Sequence, residues 1–266
     1  MFSVVKKAVS KMIMKSGIAL TSARNLKGLN DLKEEFLRYE NFIQKLLFLR
    51  MSSEEIFQVH SLYSRSKSQL FQDLFVLIYL GYKKDGYFVE IGAANGKDIS
   101  NTWLLEKDFG WHGILVEPAR VWQTSLKENR NATIVSKAVW RESNKELDFT
   151  EARHAELSGL SLFLRKDTRV KKSYKVATIT VNELLETLHA PSVIDYLSVD
   201  VEGSEPDVLE SIDFDKFVFR FISIEHNYRG DRIRMKKLLE SHGYRQFLST
   251  ISEFDDWYVK DSLNLN

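Results

Sequence analysis

Five short runs in this chain are apolar on both faces: Tyr87–Ile91, Gly113–Glu117, Thr133–Ser136, Val193–Val201 and Phe219–Glu225. A strand with no polar alternation can only be stable when both its faces are covered, which is the situation of a buried parallel sheet. Helical patterns lie between the runs, at Trp103–Lys107, Val121–Glu128 and Glu205–Ser211. Thr180 with Glu183 forms a capping box that opens a helix over Val181–Leu188. Asp231–His242 is amphipathic and closed by Gly243. The alternation predicts an α/β fold with a doubly wound, Rossmann-like sheet. The last two runs, Tyr244–Leu248 and Trp257–Lys260, have no helix between them and predict an antiparallel hairpin at the sheet edge. A composition that is 44% hydrophobic supplies the core for such a sheet.

Before residue 60 the chain reads differently. Leu29, Leu32, Phe36, Tyr39, Ile43 and Leu46 recur at spacings of three and four, the stripe of an amphipathic helix. Such a stripe either packs on its own chain or pairs with a second copy to form a homo-oligomer. The first twenty residues can form a basic amphipathic helix in weak peripheral contact with an anionic membrane, or pack locally. Residues 1–60 are therefore expected to be an N-terminal helical extension, and residues 61–266 the catalytic domain. A net charge of +1 argues against a nucleic-acid partner. No apolar run approaches the roughly 20 residues of a spanning helix, and the N-terminus lacks the separate apolar region of a secretory signal. The expected location is cytoplasmic, and the absence of cysteine excludes disulfides and thiolate chemistry.

The first strand runs into "GYFVEIGAANG" (Gly86–Gly96), where Gly92 and Gly96 permit a close backbone approach. A Walker A loop is excluded by spacing and by Asp98 where a magnesium-binding hydroxyl belongs. A dinucleotide fingerprint lacks its middle glycine, replaced by Ala94, and would set pyrophosphate beside Glu90. An acidic strand end suits a ligand with an ammonium and a sulfonium and no phosphate, which describes S-adenosylmethionine. Glu117 closes the next strand, 21 residues beyond Gly96, where a carboxylate can accept from both ribose hydroxyls.

Together "SQLFQD" (Ser68–Asp73), "FVEIGAANG", "GILVEP", "LSVDVEGSE" (Leu197–Glu205) and "ISIEHN" (Ile222–Asn227) resemble the FkbM family of S-adenosylmethionine-dependent methyltransferases, over roughly residues 65–260. The resemblance implies a class I methyltransferase: a seven-stranded mixed sheet of order 3-2-1-4-5-7-6, flanked by helices. It also implies transfer of a methyl group to a hydroxyl, often of a sugar in a glycan, a sugar nucleotide or a secondary metabolite. The cofactor-binding candidates are Gln69, Asp73, Glu90, Gly92, Ala93, Asn95, Gly96, Ser100, Asn101, Glu117, Ser136 and Asp200. The resemblance places Ser68–Asp73 over the cofactor pocket and Ser136 against adenine.

An alcohol is a poor nucleophile, so a base or a metal should assist it. The candidates beyond the carboxyl ends of the strands are Asp200, Glu202, Glu225 and His226, and either Asp200 or His226, whose ordinary pKa suits a base near pH 7, is expected to activate the hydroxyl. Asp200, Glu225 and Asn227 could instead hold Mg²⁺ or Ca²⁺, since hard cations choose oxygen. Residues 151–175 are basic, with Arg165, Lys166, Arg169, Lys171, Lys172 and Lys175, and do not read as a sheet element. They are expected to be a solvated loop or a lid that recognises an anionic acceptor. Two other classes stay open: a nucleotide-dependent oxidoreductase or epimerase, and a non-catalytic membrane-associated protein with a vestigial cofactor fold.

Overall fold

The computed structural model describes residues 23–164 and 170–260. The basic stretch before residue 21 and the cations Arg165, Lys166 and Arg169 lie outside the described residues. The chain divides between Ile56 and Phe57 into two compact units.

In the first unit, α1 (Ala23–Phe48) carries the heptad-like stripe. Leu46 of that stripe is buried, whereas Leu32 and Tyr39 are exposed, and Phe42, which lies off the stripe, is fully buried. No helix among the described residues is long and apolar enough to cross a membrane. Helix α2 (Ser53–Leu62) spans the division between the units.

In the second unit the expected sheet is present. Its first three strands are β1 (Tyr87–Ile91), β2 (His112–Val116) and β3 (Thr133–Val135). The others are β8 (Val193–Val199), β9 (Val218–Glu225), β10 (Tyr244–Phe247) and β11 (Asp255–Lys260). Their spatial order is β10-β11-β9-β8-β1-β2-β3. Numbered within this sheet alone, that is 3-2-1-4-5-7-6 read from the β3 edge. The five strands from β3 to β9 are parallel, and β11 and β10 close the sheet antiparallel, as the hairpin pattern required. Val89, Ile91, Leu197, Val199, Ile222 and Ile224 are buried in one core with Val208 and Leu209 of α7 (Glu205–Glu210). The alternate residues Phe88, Tyr196 and Phe221 are buried as well. Both faces are covered, which is why the strands lack a regular polar alternation and why Glu90, Asp195, Ser198 and Ser223 within them are buried. Helix α3 (Gln72–Tyr79) buries Gln72 through Leu77, and its Phe75 ring lies 4.8 Å from Trp257.

Three further helices follow the sequence patterns with small shifts at their ends: α4 (Trp103–Phe109), α5 (Gln123–Asn129) and α8 (Arg232–Ser241). The capping box before α6 (Val181–Thr187) is half made. Thr180 Oγ1 accepts from the Glu183 amide at 3.2 Å, but the Thr180 amide donates to Ser143 Oγ at 2.9 Å rather than to Glu183.

The segment 151–175 corrects one expectation, because it contains sheet. A second, four-stranded sheet of order β4-β7-β5-β6 joins β4 (Ala138–Val139), β5 (Glu146–Ala152), β6 (Gly159–Leu160) and β7 (Val170–Ile179). Its basic residues sit on the solvated half of β7, where Lys171, Lys172 and Lys175 are exposed. The strand signal was the two-residue alternation of Tyr174, Val176 and Thr178, which Lys175 and the lysines just before Tyr174 mask.

Candidate active site

Two adjoining clefts open beyond the carboxyl ends of the parallel strands, where α/β folds place ligands. The narrower one, about 50 Å³, is lined by Gly92, Ala94, Glu117, Trp122, Val139 and Ser158 among others. The wider one, about 470 Å³, is lined by Gln69, Arg153, His154, Glu225, Asn227 and Phe254 among others. Ile99, Glu156, Asp200 and Glu202 line both.

The turn after β1 is held between the end of β2 and Asp200, the residue after β8. The Gly92 amide donates to Val116 O at 2.9 Å. A Cβ at Gly92, whose φ is +92°, would stand 1.7 Å from the Asp200 carbonyl oxygen. Glycine is thus required by the protein's own backbone, before any ligand arrives. Gly96 is favoured differently, by its left-handed φ of +75°, with Leu126 and Arg130 packed over it. Helix α4 begins only at Trp103, so the turn leads into an irregular stretch rather than directly into a helix N-terminus.

Glu117 faces the narrow cleft. Its oxygens accept from the Ala94 amide at 2.8 Å and the Ala119 amide at 2.7 Å. Burial pushes its pKa up to about 7 against the pull of those two amides, and the charge of Glu151 adds to the rise. A carboxylate has about four lone-pair sites, so two remain for a ligand's hydroxyls.

Asp200, Glu202 and Glu225 converge, with one oxygen from each within 4.8 Å of the others. Burial drives the Asp200 carboxyl well above its ordinary range, reinforced by the charges of Glu225 and Glu202. Burial likewise raises Glu225 to about 8, with Glu202 and Glu205 adding to it, while a hydrogen bond with Asp200 pulls it back. Arg229 lies off to one side, 3.7 Å from Glu202 and 3.8 Å from Glu205. Two carboxyls so placed hold a proton near neutrality and present a basic oxygen once it leaves.

Several expected site residues are not at either cleft. Glu90 is committed to the protein. Its oxygens accept from the Asn101 amide (2.7 Å), Ser100 Oγ (3.0 Å) and Thr102 Oγ1 (2.5 Å), and it pairs with the buried Arg130 at 3.5 Å. Glu90, Ser100 and Asn101 therefore build the floor beneath the turn and line neither cleft. Asn95 caps its own turn, accepting from the amides of Lys97 and Asp98. Ala93 is buried, and its amide donates to Val116 O. Ser136 Oγ donates to Gln123 Oε1 at 2.7 Å and lines neither cleft. Asp73 is buried and accepts from Ser66 Oγ at 2.7 Å. Of the Ser68–Asp73 segment only Gln69 reaches a cleft. The helix there starts at Gln72 with Phe71 at the cap position, and Ser68 Oγ accepts from the Asp73 amide at 3.3 Å.

His226 is the largest correction. Successive residues at a strand end point to opposite sides, and Glu225 and Asn227 line the wide cleft while His226 does not. Its Nδ1 accepts from the Tyr228 amide at 2.9 Å, and its Nε2 lies 3.8 Å from Asp256, itself held by Arg232. Burial lowers its pKa, Asp256 opposes the drop and Arg232 adds to it. The imidazole is thus neutral and turned away from the carboxylates.

Sequence reasoning missed Trp122 and Val139, and took the Ser158–Leu160 stretch, which roofs the narrow cleft, as part of a loop or lid over residues 151–175 rather than as the edge of a second sheet. A Cβ on Gly159 would lie 3.3 Å from both Glu202 Cβ and the Val201 carbonyl oxygen. The apolar bulk of Trp122 and Val139 between polar motifs was the available signal.

The narrow cleft carries Glu117, Glu156, Asp200 and Glu202 and is lined by no Lys, Arg or His among the described residues. That donor set has nothing to neutralise a phosphate. It suits a ligand with a ribose, an apolar ring and positive charge.

A family model for the methyltransferase FkbM domain matches residues 90–246. No curated protein matches the chain. Among solved structures the chain is similar to a methyltransferase FkbM from Methylobacillus flagellatus KT, at 13% identity and a TM-score of 0.43, covering 77% of this chain and 59% of that one. It is also similar to a precorrin-6y C5,15-methyltransferase from Geobacter metallireducens GS-15, at 12% identity and a TM-score of 0.39, covering 66% and 71% respectively. A human methyltransferase 10 domain containing protein is similar at 11% identity and a TM-score of 0.39, covering 72% and 82%. Likenesses this loose carry no argument about what is methylated.

Proposed function

Since this chain belongs to the methyltransferase FkbM family, we propose that it transfers a methyl group from S-adenosylmethionine to a hydroxyl, and that the hydroxyl belongs to a sugar. The observation that supports this most is the position of Asp200 and Glu202, which line both clefts at their junction. The narrow cleft takes the cofactor. Glu117 accepts from the ribose hydroxyls, Trp122 and Val139 flank the adenine, and Gly92 and Ala94 lie along the amino-acid end. The bound cofactor supplies an electrophilic methyl on a sulfonium. Sulfonium charge also suits a cleft whose ionisable groups are all acids.

The wide cleft takes the acceptor. Asp200 and Glu225 share a proton, and the ionised oxygen would receive the hydroxyl proton as the new C–O bond forms and the methyl–sulfur bond breaks, leaving a neutral thioether. Glu202 holds the local charge negative, and Gln69 and Asn227 supply hydrogen bonds of the kind sugars use. His226 is not the base in this reading. A divalent cation held by Asp200, Glu202 and Glu225 is the second reading, since their oxygens lie close enough to share one. It differs from the sequence expectation in taking Glu202 where Asn227 was expected. An oxidoreductase reading loses support because the narrow cleft offers no cation to a pyrophosphate.

The test is labelled-methyl transfer from S-adenosylmethionine to a panel of neutral and acidic monosaccharides and sugar nucleotides, with and without chelator. Label in a sugar, unchanged by chelator, supports the base. Loss with chelator and recovery with Mg²⁺ or Ca²⁺ supports the cation. Label in none of the sugars overturns the sugar reading.

The Glu117 assignment has its own check. Glu117→Gln should weaken S-adenosylhomocysteine binding by about 1.5–3 kcal/mol, the range for a charged acceptor. A carboxyl with a pKa of about 7 is mostly protonated at pH 6 and mostly ionised at pH 8. Wild-type affinity is therefore expected to tighten as pH rises through 7, and the Gln variant to stay flat. Calorimetry at the two pH values reads both effects.

A further inference from the structure

The floor of the wide cleft is acidic, but its mouth is not. Asp200, Glu202 and Glu225 form the floor, and Arg153 and His154 line the same cavity from the end of β5. Both are exposed. Other arginines around the two clefts are engaged. Arg130 is bound to Glu106 and Glu90, Arg229 lies against Glu202 and Glu205, and Arg120 stacks on Tyr174 at 4.1 Å. Among the described residues Arg153 has no such partner, although Glu156 and Glu202 line the same cavity. A guanidinium with five donors in a fixed fork is thus left facing a polar cavity.

We infer that the acceptor carries an anionic group, a carboxylate or a phosphate, which Arg153 binds with His154 beside it. The inference rests on the wide cleft being the acceptor site. The two ends of the cavity then sort the two ends of the molecule. The acidic floor repels the anionic group and accepts the hydroxyl, while the cationic mouth binds the anion in bidentate fashion. One orientation is favoured twice over, so a single hydroxyl reaches the carboxylates. Neutral sugars lack the second anchor.

The test uses the full chain saturated with S-adenosylhomocysteine, and four probes: glucose, glucuronate, glucose 6-phosphate and glycerol 3-phosphate. Calorimetry or ligand-observed NMR measures each on wild type, on Arg153→Gln and on Arg153→Gln with His154→Gln. At least one charged probe is expected to bind about tenfold to a hundredfold more tightly than glucose, as a charge-assisted pair gives. Arg153→Gln should abolish that preference and leave S-adenosylhomocysteine affinity unchanged. Preference for glucuronate over glucose 6-phosphate identifies a carboxylate, and the reverse a phosphate. If glycerol 3-phosphate shows the Arg153-dependent preference and no sugar does, the anion inference stands and the sugar reading fails. Equal binding of neutral and charged probes, no binding of any charged probe, or a charge preference that survives Arg153→Gln overturns it.

Discussion

Asp200→Asn and Glu225→Gln are each expected to lower kcat about 10²–10⁴-fold, the range for a displaced general base. Affinity for S-adenosylhomocysteine should change far less. Rate and stability then move in opposite directions. With Glu225 raised to about 8, the wild-type carboxyl pair is largely protonated at neutrality, so kcat should climb as pH rises through 8. Stability runs the other way. The unfolded carboxyl titrates near 4.3, so between about pH 4 and 8 the folded state binds more protons than the unfolded state. Stability is fully present below the unfolded pKa and is lost as pH rises through the folded one. Glu225→Gln removes that loss, so the variant should melt higher than wild type at pH 8.5, with little gain at pH 4. Thermal melts at the two pH values, beside a pH–rate profile, check the argument. Near-normal turnover in both variants would leave positioning of the hydroxyl as the sole catalytic device. His226→Gln should retain turnover close to wild type.

Arg130→Ala is expected to destabilise the fold by about 3–5 kcal/mol, because it strands buried carboxylates without their cation. The Arg130 side chain is wholly buried. Its Nε donates to Glu106 at 2.8 Å, and its other nitrogens reach Gly96 O at 3.0 Å, Ser100 Oγ at 3.1 Å and Thr102 Oγ1 at 2.8 Å. One guanidinium therefore joins the end of α5 to the loop after β1. For a chain of this size such a loss lowers Tm by roughly 10 °C. Arg130→Lys keeps the charge but cannot reproduce the fork, so an intermediate loss is expected. A melt within 2 °C of wild type would show that the network is dispensable (roughly 1 kcal/mol or less).

The sheet was legible because its strands report their environment directly. Phe88 with Val89, Tyr196 with Leu197 and Phe221 with Ile222 set apolar residues side by side on opposite faces, a pattern that burial on both faces allows. The second sheet was hidden because half of β7 is solvated and its lysines look like loop. At the site, Glu117 and Asp200 were readable as acids closing apolar strands. Glu90 has the same signature but a different fate, decided by Arg130, which lies 40 residues away and is invisible to a local reading. His226 was misplaced for a simpler reason. Its neighbours Glu225 and Asn227 share one side of the strand end, and alternation alone puts His226 on the other.

The roof over the narrow cleft has a kinetic meaning. About 50 Å³ is far below the 300 Å³ or more that a bound small molecule occupies. Under the assignment of that cleft to the cofactor, the Ala155–Leu160 stretch must lift from Glu202 before a nucleoside can enter, and settle again afterwards. Capture then waits on the opening of the roof, so association is slower than it would be at a cleft already open. Departure of the demethylated cofactor needs the same opening.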